Sequence, residues 1–170
     1  TTADDGDNLF RVVPADDLQA RALVDIVKSN GLSNPGVLYM SNDYGVGLAD
    51  FFESAWKPDA VCKSASYDPS EGAYDAGALA ESVIDAGCDS VIMISYATDG
   101  AWIAEELHGQ GFKGHRFGAD TVADAGFIDA SADPSTLDGI IATRPRQAED
   151  SEQKSLFESA WGKAGAPAGA

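Results

Sequence analysis

The chain has 170 residues, 44% of them apolar, and its 28 acidic residues outnumber 11 lysines and arginines to give a net charge of −17. This length and composition predict one globular domain and exclude an intrinsically disordered chain. The negative charge disfavours binding to nucleic acid or to an anionic membrane surface, because both would repel it. No apolar run is long enough for a membrane span, and the polar start does not resemble a secretory leader.

Helices and strands are predicted to alternate along the chain. The predicted strands are 37–41, 60–66, 90–95, 115–118 and 139–143, and the predicted helices are 16–30, 47–56, 75–86, 99–109, 123–130 and 149–162. Strands separated by helices at this spacing are typical of βαβ units, whose right-handed crossovers place helices on both faces of a sheet. The predicted fold class is therefore a three-layer α/β/α domain with a mainly parallel, Rossmann-like (flavodoxin-like) sheet of five or six strands.

The first predicted helix has clear start and stop signals. Asp16 followed by Gln19 has capping-box spacing, and Gly31 suits the residue that ends a helix. Apolar side chains recur at helical spacing and are predicted to face the core. This predicted inward set consists of Leu18, Ala22, Leu23, Ile26 and Val27 in the first helix, Leu48, Phe51, Phe52 and Ala55 in the second, and Trp102, Ile103 and Leu107 in the fourth.

Three predicted strands lead to side chains suited to holding a small polar molecule. The strand at 37–41 leads to Tyr44, the strand at 90–95 to Tyr96, and the strand at 115–118 to Asp120. Ligands of open parallel sheets bind beyond the carboxyl ends of the strands. Taken singly, Asp120 is explained as a helix cap and the tyrosines as rim aromatics. Their position at neighbouring strand ends favours one ligand-binding crevice.

Other kinds of site are poorly supported. Gly45 and Gly47 lack the third glycine of a dinucleotide fingerprint and the lysine of a phosphate loop, so they are predicted to serve a tight turn. No nucleophile elbow is present, and neither His108 nor His115 has an evident nucleophile beside it. A phosphoacceptor receiver domain is excluded because the strand at 90–95 ends in Tyr96. No catalytic residue, metal site or cofactor is predicted.

The two cysteines, Cys62 and Cys88, match no metal-binding pattern. Both are predicted at the amino-terminal ends of strands that flank the strand at 37–41. Strands separated by one neighbour lie about 9–10 Å apart, which is too far for a disulfide unless the loops bend inward. This spacing favours two free thiols, and a disulfide stays open as the alternative.

Several short segments occur in an order found in one family. They are Leu9–Pro14 with Asp17 and Gln19, Asn42–Gly47, Tyr67–Pro69 with Tyr74, Cys88–Val91, and the stretch from Tyr96 to Asp120. Over about residues 9–147 the sequence resembles the type I periplasmic solute-binding proteins, specifically the leucine/isoleucine/valine-binding branch. These proteins are extracytoplasmic receptors of ABC importers.

The resemblance implies a two-lobed receptor that closes on its ligand, and this chain matches the second lobe. Residues 9–147 would form the lobe, and residues 1–8 and 148–170 would lead to and from an absent first lobe. By resemblance, Asp120 pairs with the ammonium of an amino acid or similar solute, while Tyr44 and Tyr96 pack on it. The branched-chain receptors commonly have glutamate in place of Asp120, so the ligand would sit deeper, bind through a water, or differ from a branched-chain amino acid.

The resemblance further implies a periplasmic location and, as partners, the small-molecule ligand, the importer's membrane subunits and the missing lobe. An isolated lobe is expected to bind amino acids no better than about millimolar, because half of the ligand would face water. Leu156, Phe157 and Trp161 would favour its self-association. Two alternatives are a ligand-sensing domain that controls a signalling or transcriptional partner, and a flavodoxin-like enzyme domain.

Overall fold

A computed structural model describes residues 13–70, 73–146 and 149–163. The strands are β1 (Pro35–Met40), β2 (Lys63–Tyr67), β3 (Ser90–Ile94), β4 (His115–Gly118) and β5 (Ile141–Ala142). The helices are α1 (Asp16–Ser29), α2 (Asp43–Trp56), α3 (Ala76–Asp85), α4 (Ala97–Gly109), α5 (Ala125–Asp129) and α6 (Glu152–Lys163). Two short 3-10 helices lie at Asp120–Ala123 and Pro134–Leu137.

The five strands form one parallel sheet in the order β2-β1-β3-β4-β5. Val37 of β1 lies in register with Ser64 of β2 on one side and with Ile92 of β3 on the other. The chain thus moves outward from β1 to β2 and then crosses back to β3, so the winding direction reverses between β1 and β3. This is the flavodoxin-like strand order, and it confirms the predicted fold class.

Alternating side chains of the sheet form two cores, one on each face. Val37 lies under α1 and α2, whereas Leu38 lies under α3 and α4. The first core includes Leu23, Val27, Leu48, Phe52, Ile92 and Phe117. The second core includes Val83, Val91, Met93, Ile103, Leu107 and Phe127. The sheet is therefore covered on both faces, and its carboxyl-terminal edge is where side chains can meet a ligand.

The start of α1 corrects two predictions. Ala15 is the N-cap residue, and Asp16 lies inside the first turn without capping it. The stripe that packs against α2 consists of Ala20, Leu23, Val24 and Val27. This orientation turns Leu18 and Ala22 away from the core and leaves both exposed.

Two other predicted core residues, Phe51 of α2 at 38% exposure and Trp102 of α4 at 39% exposure, also face outward. Neighbouring positions on their helices supply the buried stripe.

Helix α2 begins four residues earlier than predicted, and its two glycines lie within the helix and not in a tight turn. Asn42 is the N-cap residue, and its side-chain oxygen accepts a hydrogen bond from the Gly45 N–H at 2.9 Å. A Cβ on Gly45 would collide with the carbonyl oxygen of Met40. The glycine therefore allows the helix to start directly at the end of β1.

The last strand is shorter than predicted, since β5 contains only Ile141 and Ala142. Gly139 has φ of +80°, which is incompatible with an extended strand at that position. The remaining predicted elements agree with the structure to within about three residues at each end.

Cys62 and Cys88 form a disulfide with a Cα–Cα distance of 5.6 Å, so the preference for free thiols was wrong. Both cysteines precede their strands, where the chain is free to bend inward across β1. In space, the disulfide passes Gly36 of β1, where a Cβ would lie 3.2 Å from the Cys88 sulfur. A glycine in the middle strand thus leaves room for the bond to cross it.

Helix α6 has no buried residue. Leu156 and Phe157 are each 63% exposed and Trp161 is 44% exposed, with the Phe157 and Trp161 rings stacked at 5.8 Å. Their predicted part in self-association stays a prediction.

Two predicted segments lie wholly or partly outside the described residues. These are residues 1–8 and, in the predicted trailing segment, residues 148 and 164–170. No helix in the described ranges is long and apolar enough to cross a membrane.

Candidate functional site

Two of the three predicted site residues touch each other at the carboxyl-terminal edge of the sheet. Tyr44 lies in the first turn of α2, directly after β1, and Asp120 follows β4. The Tyr44 hydroxyl donates a hydrogen bond of 2.6 Å to Oδ1 of Asp120. The parallel sheet thus brings together two side chains that are 76 positions apart in sequence.

Gln19 of α1 joins this pair, although the sequence predicted for it a capping box and a place in the family resemblance, and no part in the site. Its Nε2 donates to Oδ1 of Asp120 at 3.4 Å and to the Thr143 hydroxyl at 3.2 Å. The amide therefore links the start of α1 to the chain that follows β4 and β5. A polar residue next to the apolar stripe of an amphipathic helix was the one available signal for such a role.

Asp120 keeps one carboxylate oxygen available. It is the first residue of its 3-10 helix, whose N-cap is Ala119, and no side-chain cap is formed. Both of its hydrogen bonds go to Oδ1. Within residues 13–70, 73–146 and 149–163, Oδ2 has no hydrogen-bond donor and no lysine or arginine forms an ion pair with the carboxylate. The simple cap role is thus replaced by an arrangement open to a cation.

The environment keeps Tyr44 in its neutral, donating form. Burial raises the pKa of its hydroxyl well above the ordinary tyrosine value, and the hydrogen bond and negative charge of Asp120 raise it further. Asp16 and Tyr96 add smaller effects in the same direction. At neutral pH the tyrosine therefore donates its proton to Asp120 and orients that carboxylate.

A cavity of about 520 Å³ opens beside this pair. Its wall combines the carboxylates of Asp16 and Asp120 with the guanidinium groups of Arg144 and Arg146, and Arg146 also pairs with Glu149. The apolar part of the wall consists of Val13, Pro14, Leu18, Ala22 and Pro145. The outward turn of Leu18 and Ala22 thus gives the cavity its apolar surface. Such a mixed lining suits a small molecule that has both charged and apolar parts.

Tyr96 lies at the same edge but does not line this cavity. It is the N-cap residue of α4 and is 48% exposed. Its hydroxyl accepts a hydrogen bond of 3.2 Å from the Asn42 side chain, directly before α2. The ring borders a separate cavity on the α3 and α4 side. The structure therefore places Tyr96 at the same edge as the Tyr44–Asp120 pair, and among the described residues no hydrogen bond joins Tyr96 to either of them.

A second tyrosine–aspartate pair lies behind Tyr96, and the sequence analysis did not predict it. The Tyr67 hydroxyl donates to Oδ2 of Asp99, which also accepts from the Tyr96 N–H at 3.2 Å. Asp99 is 4% exposed and Tyr67 is 6% exposed. Burial raises the pKa of Asp99, and the hydrogen bonds to its carboxylate partly oppose that rise. No group of three or more potential metal ligands occurs in the described part of the chain.

The parallel sheet and its strand order are shared with solved ligand-binding proteins of bacteria. The leucine-binding protein LivK of Thermotoga maritima matches with a TM-score of 0.72 and 21% identity, over 91% of this chain and 45% of LivK. A putative branched-chain amino acid ABC transporter protein of Rhodospirillum rubrum matches with a TM-score of 0.71 and 18% identity, over 90% and 45%. A valine-bound branched-chain amino acid ABC transporter protein of Thermus thermophilus gives 0.68 and 19%, over 92% and 41%. At these identities the shared feature is the fold.

Residues 3–163 match the model of the receptor family ligand binding region, and the chain belongs to this family. The family resemblance predicted from the sequence is thus confirmed. A comparison with curated proteins finds no match. The chain spans less than half the length of the three solved proteins named above. These relatives are binding proteins and receptors.

Proposed function

We propose that this chain is the second lobe of a two-lobed solute receptor for an ABC importer, and that the receptor binds amino acids or related small polar solutes. Membership of a ligand-binding family and the fold shared with branched-chain amino acid binding proteins support this proposal. The chain's share of those proteins, below half, agrees with one lobe of two. The other lobe and the importer's membrane subunits would then be its partners.

The observation that carries the proposal is Oδ2 of Asp120, which lies beside a cavity and accepts no hydrogen bond from the described residues. An ammonium group placed there gains a charge-assisted hydrogen bond without displacing Tyr44 or Gln19 from Oδ1. Those two donors fix the plane of the carboxylate, so little side-chain freedom is lost on binding. Because aspartate is shorter than glutamate, the ammonium would approach close to the sheet edge.

The aromatic rings supply the second part of the proposed site. Tyr44 lies in the cavity wall and presents its ring to a cation held at Asp120. Tyr96 borders the same edge, and lobe closure would bring it against the outer side of the ligand. We assign Tyr44, Tyr96 and Asp120 as the residues that this lobe contributes to ligand binding.

An extracytoplasmic location is part of the proposal. The Cys62–Cys88 disulfide supports it, because structural disulfides persist in oxidising compartments and are rare in the cytosol.

The test uses the complete receptor that contains this lobe. A thermal-shift screen of amino acids, amides and polyamines first identifies a ligand, whose affinity is then measured by calorimetry. Asp120→Asn should weaken binding by about 2–5 kcal/mol, because the ammonium loses its counter-charge in a closed site.

The matched control is Asp129→Asn, which removes one exposed acid from α5, outside the cavity wall. This variant should bind with the wild-type affinity. Equal affinity of Asp120→Asn and wild type would contradict the assignment, and a catalysed conversion of the ligand would contradict the receptor function.

A further inference from the structure

A second cavity, of about 280 Å³, lies at the same edge of the sheet beyond the ends of β2 and β3. It is separate from the Tyr44–Asp120 cavity. Its wall consists of Pro69, Tyr74, Tyr96, Thr98, Asp99 and Trp102. Its volume is close to the lower end of the range of about 300–1,000 Å³ for small-molecule sites.

Three of the six residues in this wall are aromatic. Trp102 is 39% exposed and Tyr96 is 48% exposed, although both are large side chains that a helix could have packed inward. Tyr74 is held in place by the Tyr67 ring, at a centroid distance of 4.9 Å. Its hydroxyl oxygen is buried and has no hydrogen-bond partner among the described residues. The wall of the cavity is therefore rich in aromatic side chains.

The carboxylate of Asp99 belongs to the same wall and has no cationic neighbour. Its hydrogen-bond donors are the Tyr67 hydroxyl and the Tyr96 N–H, both neutral. Among the described residues, the ion pairs involve α1, α6 and the segment before α6, and none includes Asp99. Burial raises the pKa of this carboxyl, which is the expected response of an acid that lacks a counter-charge.

We propose that this cavity is a binding site for an N-alkylated organic cation of the quaternary ammonium class. Aromatic faces attract such a cation through their quadrupoles, and Asp99 supplies a formal negative charge behind them. A metal ion is disfavoured because it would need several oxygen ligands, whereas the wall offers one carboxylate. A primary ammonium needs hydrogen-bond acceptors for its three N–H donors, whereas half of the six lining residues are aromatic.

The proposal does not depend on the solute site proposed above. The wall of this cavity contains neither Tyr44 nor Asp120, and Tyr96 is the single proposed site residue that borders it. Binding of an alkylated cation here and binding of an amino acid at Asp120 are separate measurements.

Choline is the probe, and its uncharged carbon analogue 3,3-dimethylbutan-1-ol is the matched control ligand. The ¹⁵N-labelled 170-residue chain is titrated while the indole N–H signals of its three tryptophans are followed by NMR. Choline should shift the Trp102 signal saturably and leave Trp161 on α6 unchanged. The uncharged analogue should produce no saturable shift at the same concentrations, because it lacks the charge that the rings and Asp99 attract.

Two variants complete the test, with affinities measured from the backbone amide signals of Thr98 and Gly100. Trp102→Leu should weaken choline binding about tenfold, since one aromatic face is lost. Trp161→Leu, which removes another exposed tryptophan, should bind as the wild type does. Equal shifts with the uncharged analogue, equal effects of the two variants, or the absence of any saturable shift would each overturn the proposal.

Discussion

The domain contains two tyrosine–aspartate pairs that differ in their surroundings more than in their chemistry. In the pair Tyr44–Asp120 both side chains are half-buried and border a cavity, and Oδ2 of Asp120 has no hydrogen-bond donor in the described part of the chain. In the pair Tyr67–Asp99 both side chains are at least 94% buried, and the carboxylate also accepts a backbone N–H. The first pair is therefore suited to binding a ligand directly, whereas the second holds two loops together and gives the smaller cavity its negative charge.

The difference arises from the positions of the two pairs around the sheet. Tyr67 ends β2 and Asp99 lies in the first turn of α4, so their hydrogen bond joins the ends of β2 and β3 across β1. Tyr44 and Asp120 follow β1 and β4, where the wall also includes the start of α1 and the chain after β5. One pair is nearly buried and reaches only the smaller cavity through Asp99, whereas both residues of the other pair line the larger cavity.

The largest expected difference between the pairs is in the loss of stability when the acid is removed. Asp99→Ala should lower the free energy of unfolding by about 3 kcal/mol, because it leaves the buried Tyr67 hydroxyl and the Tyr96 N–H without an acceptor. Asp120→Ala should cost less than about 1 kcal/mol, since Tyr44 and Gln19 can be reached by water. Urea unfolding followed by circular dichroism measures both. Similar losses would mean that Asp120 is also a structural residue.

Removal of the tyrosine hydroxyls should also lower the free energy of unfolding more in the Tyr67–Asp99 pair than in the Tyr44–Asp120 pair. The losses should be about half of those caused by removing the acids. Tyr67→Phe should cost about 1.5 kcal/mol, because a buried carboxylate loses a hydrogen bond. Tyr44→Phe should cost about 0.5 kcal/mol or less, since its partner Asp120 is partly solvated. The matched rings keep the packing constant, so the difference reports on the hydroxyls. A larger loss in Tyr44→Phe would reverse the proposed roles.

The smallest expected effect is a pH dependence that comes from Asp99. Because burial raises its pKa, the native state retains a proton over a pH window in which the unfolded chain has lost it. This window begins near the ordinary aspartate pKa of about 3.9 and ends at the raised value. Within it, stability falls as the pH rises, so the contribution of Asp99 is complete below the window and lost above it.

Comparison of variants isolates this contribution from those of other acids. Asp99→Asn should flatten the decline, because the amide does not titrate. Tyr67→Phe should extend the window upward, because it removes a hydrogen bond that favours the ionised carboxylate. Unfolding free energies measured from about pH 3.5 to about pH 7 test both expectations. Parallel profiles for Asp99→Asn and wild type would show that Asp99 is not the group responsible.

The sequence predicted the fold well because the buried strands are nearly continuous apolar runs between turn signals. For β1 and β3 the predicted ends differ from the structure by no more than two residues. Errors occurred where tertiary contacts override local preference. The start of α2 was placed too late because Gly45 was interpreted as a turn residue, whereas its role is a close approach to Met40.

For the candidate site, strand order predicted that Tyr44 and Asp120 would meet, but it also grouped with them Tyr96, which lines a separate cavity. Tyr44 and Asp120 follow strands with recognisable ends, so the sheet rule placed them at one edge. The hydrogen bond from Gln19 joins residues 101 positions apart and depends on the rotation of α1, which an apolar stripe fixes only coarsely. The enclosed Tyr67–Asp99 pair was missed because an acid in a first helical turn is usually exposed.

The covalent loop closed by Cys62 and Cys88 matters for anyone who prepares or handles this protein. It contains all of β2 and α3, so a protease cut between them would leave two fragments that still migrate together on a non-reducing gel. Such nicked material would pass ordinary purity checks and separate only after reduction. Preparations from a reducing cytosol would lack the link altogether. Export into an oxidising compartment, or oxidation after purification, is therefore needed before any binding measurement on this lobe.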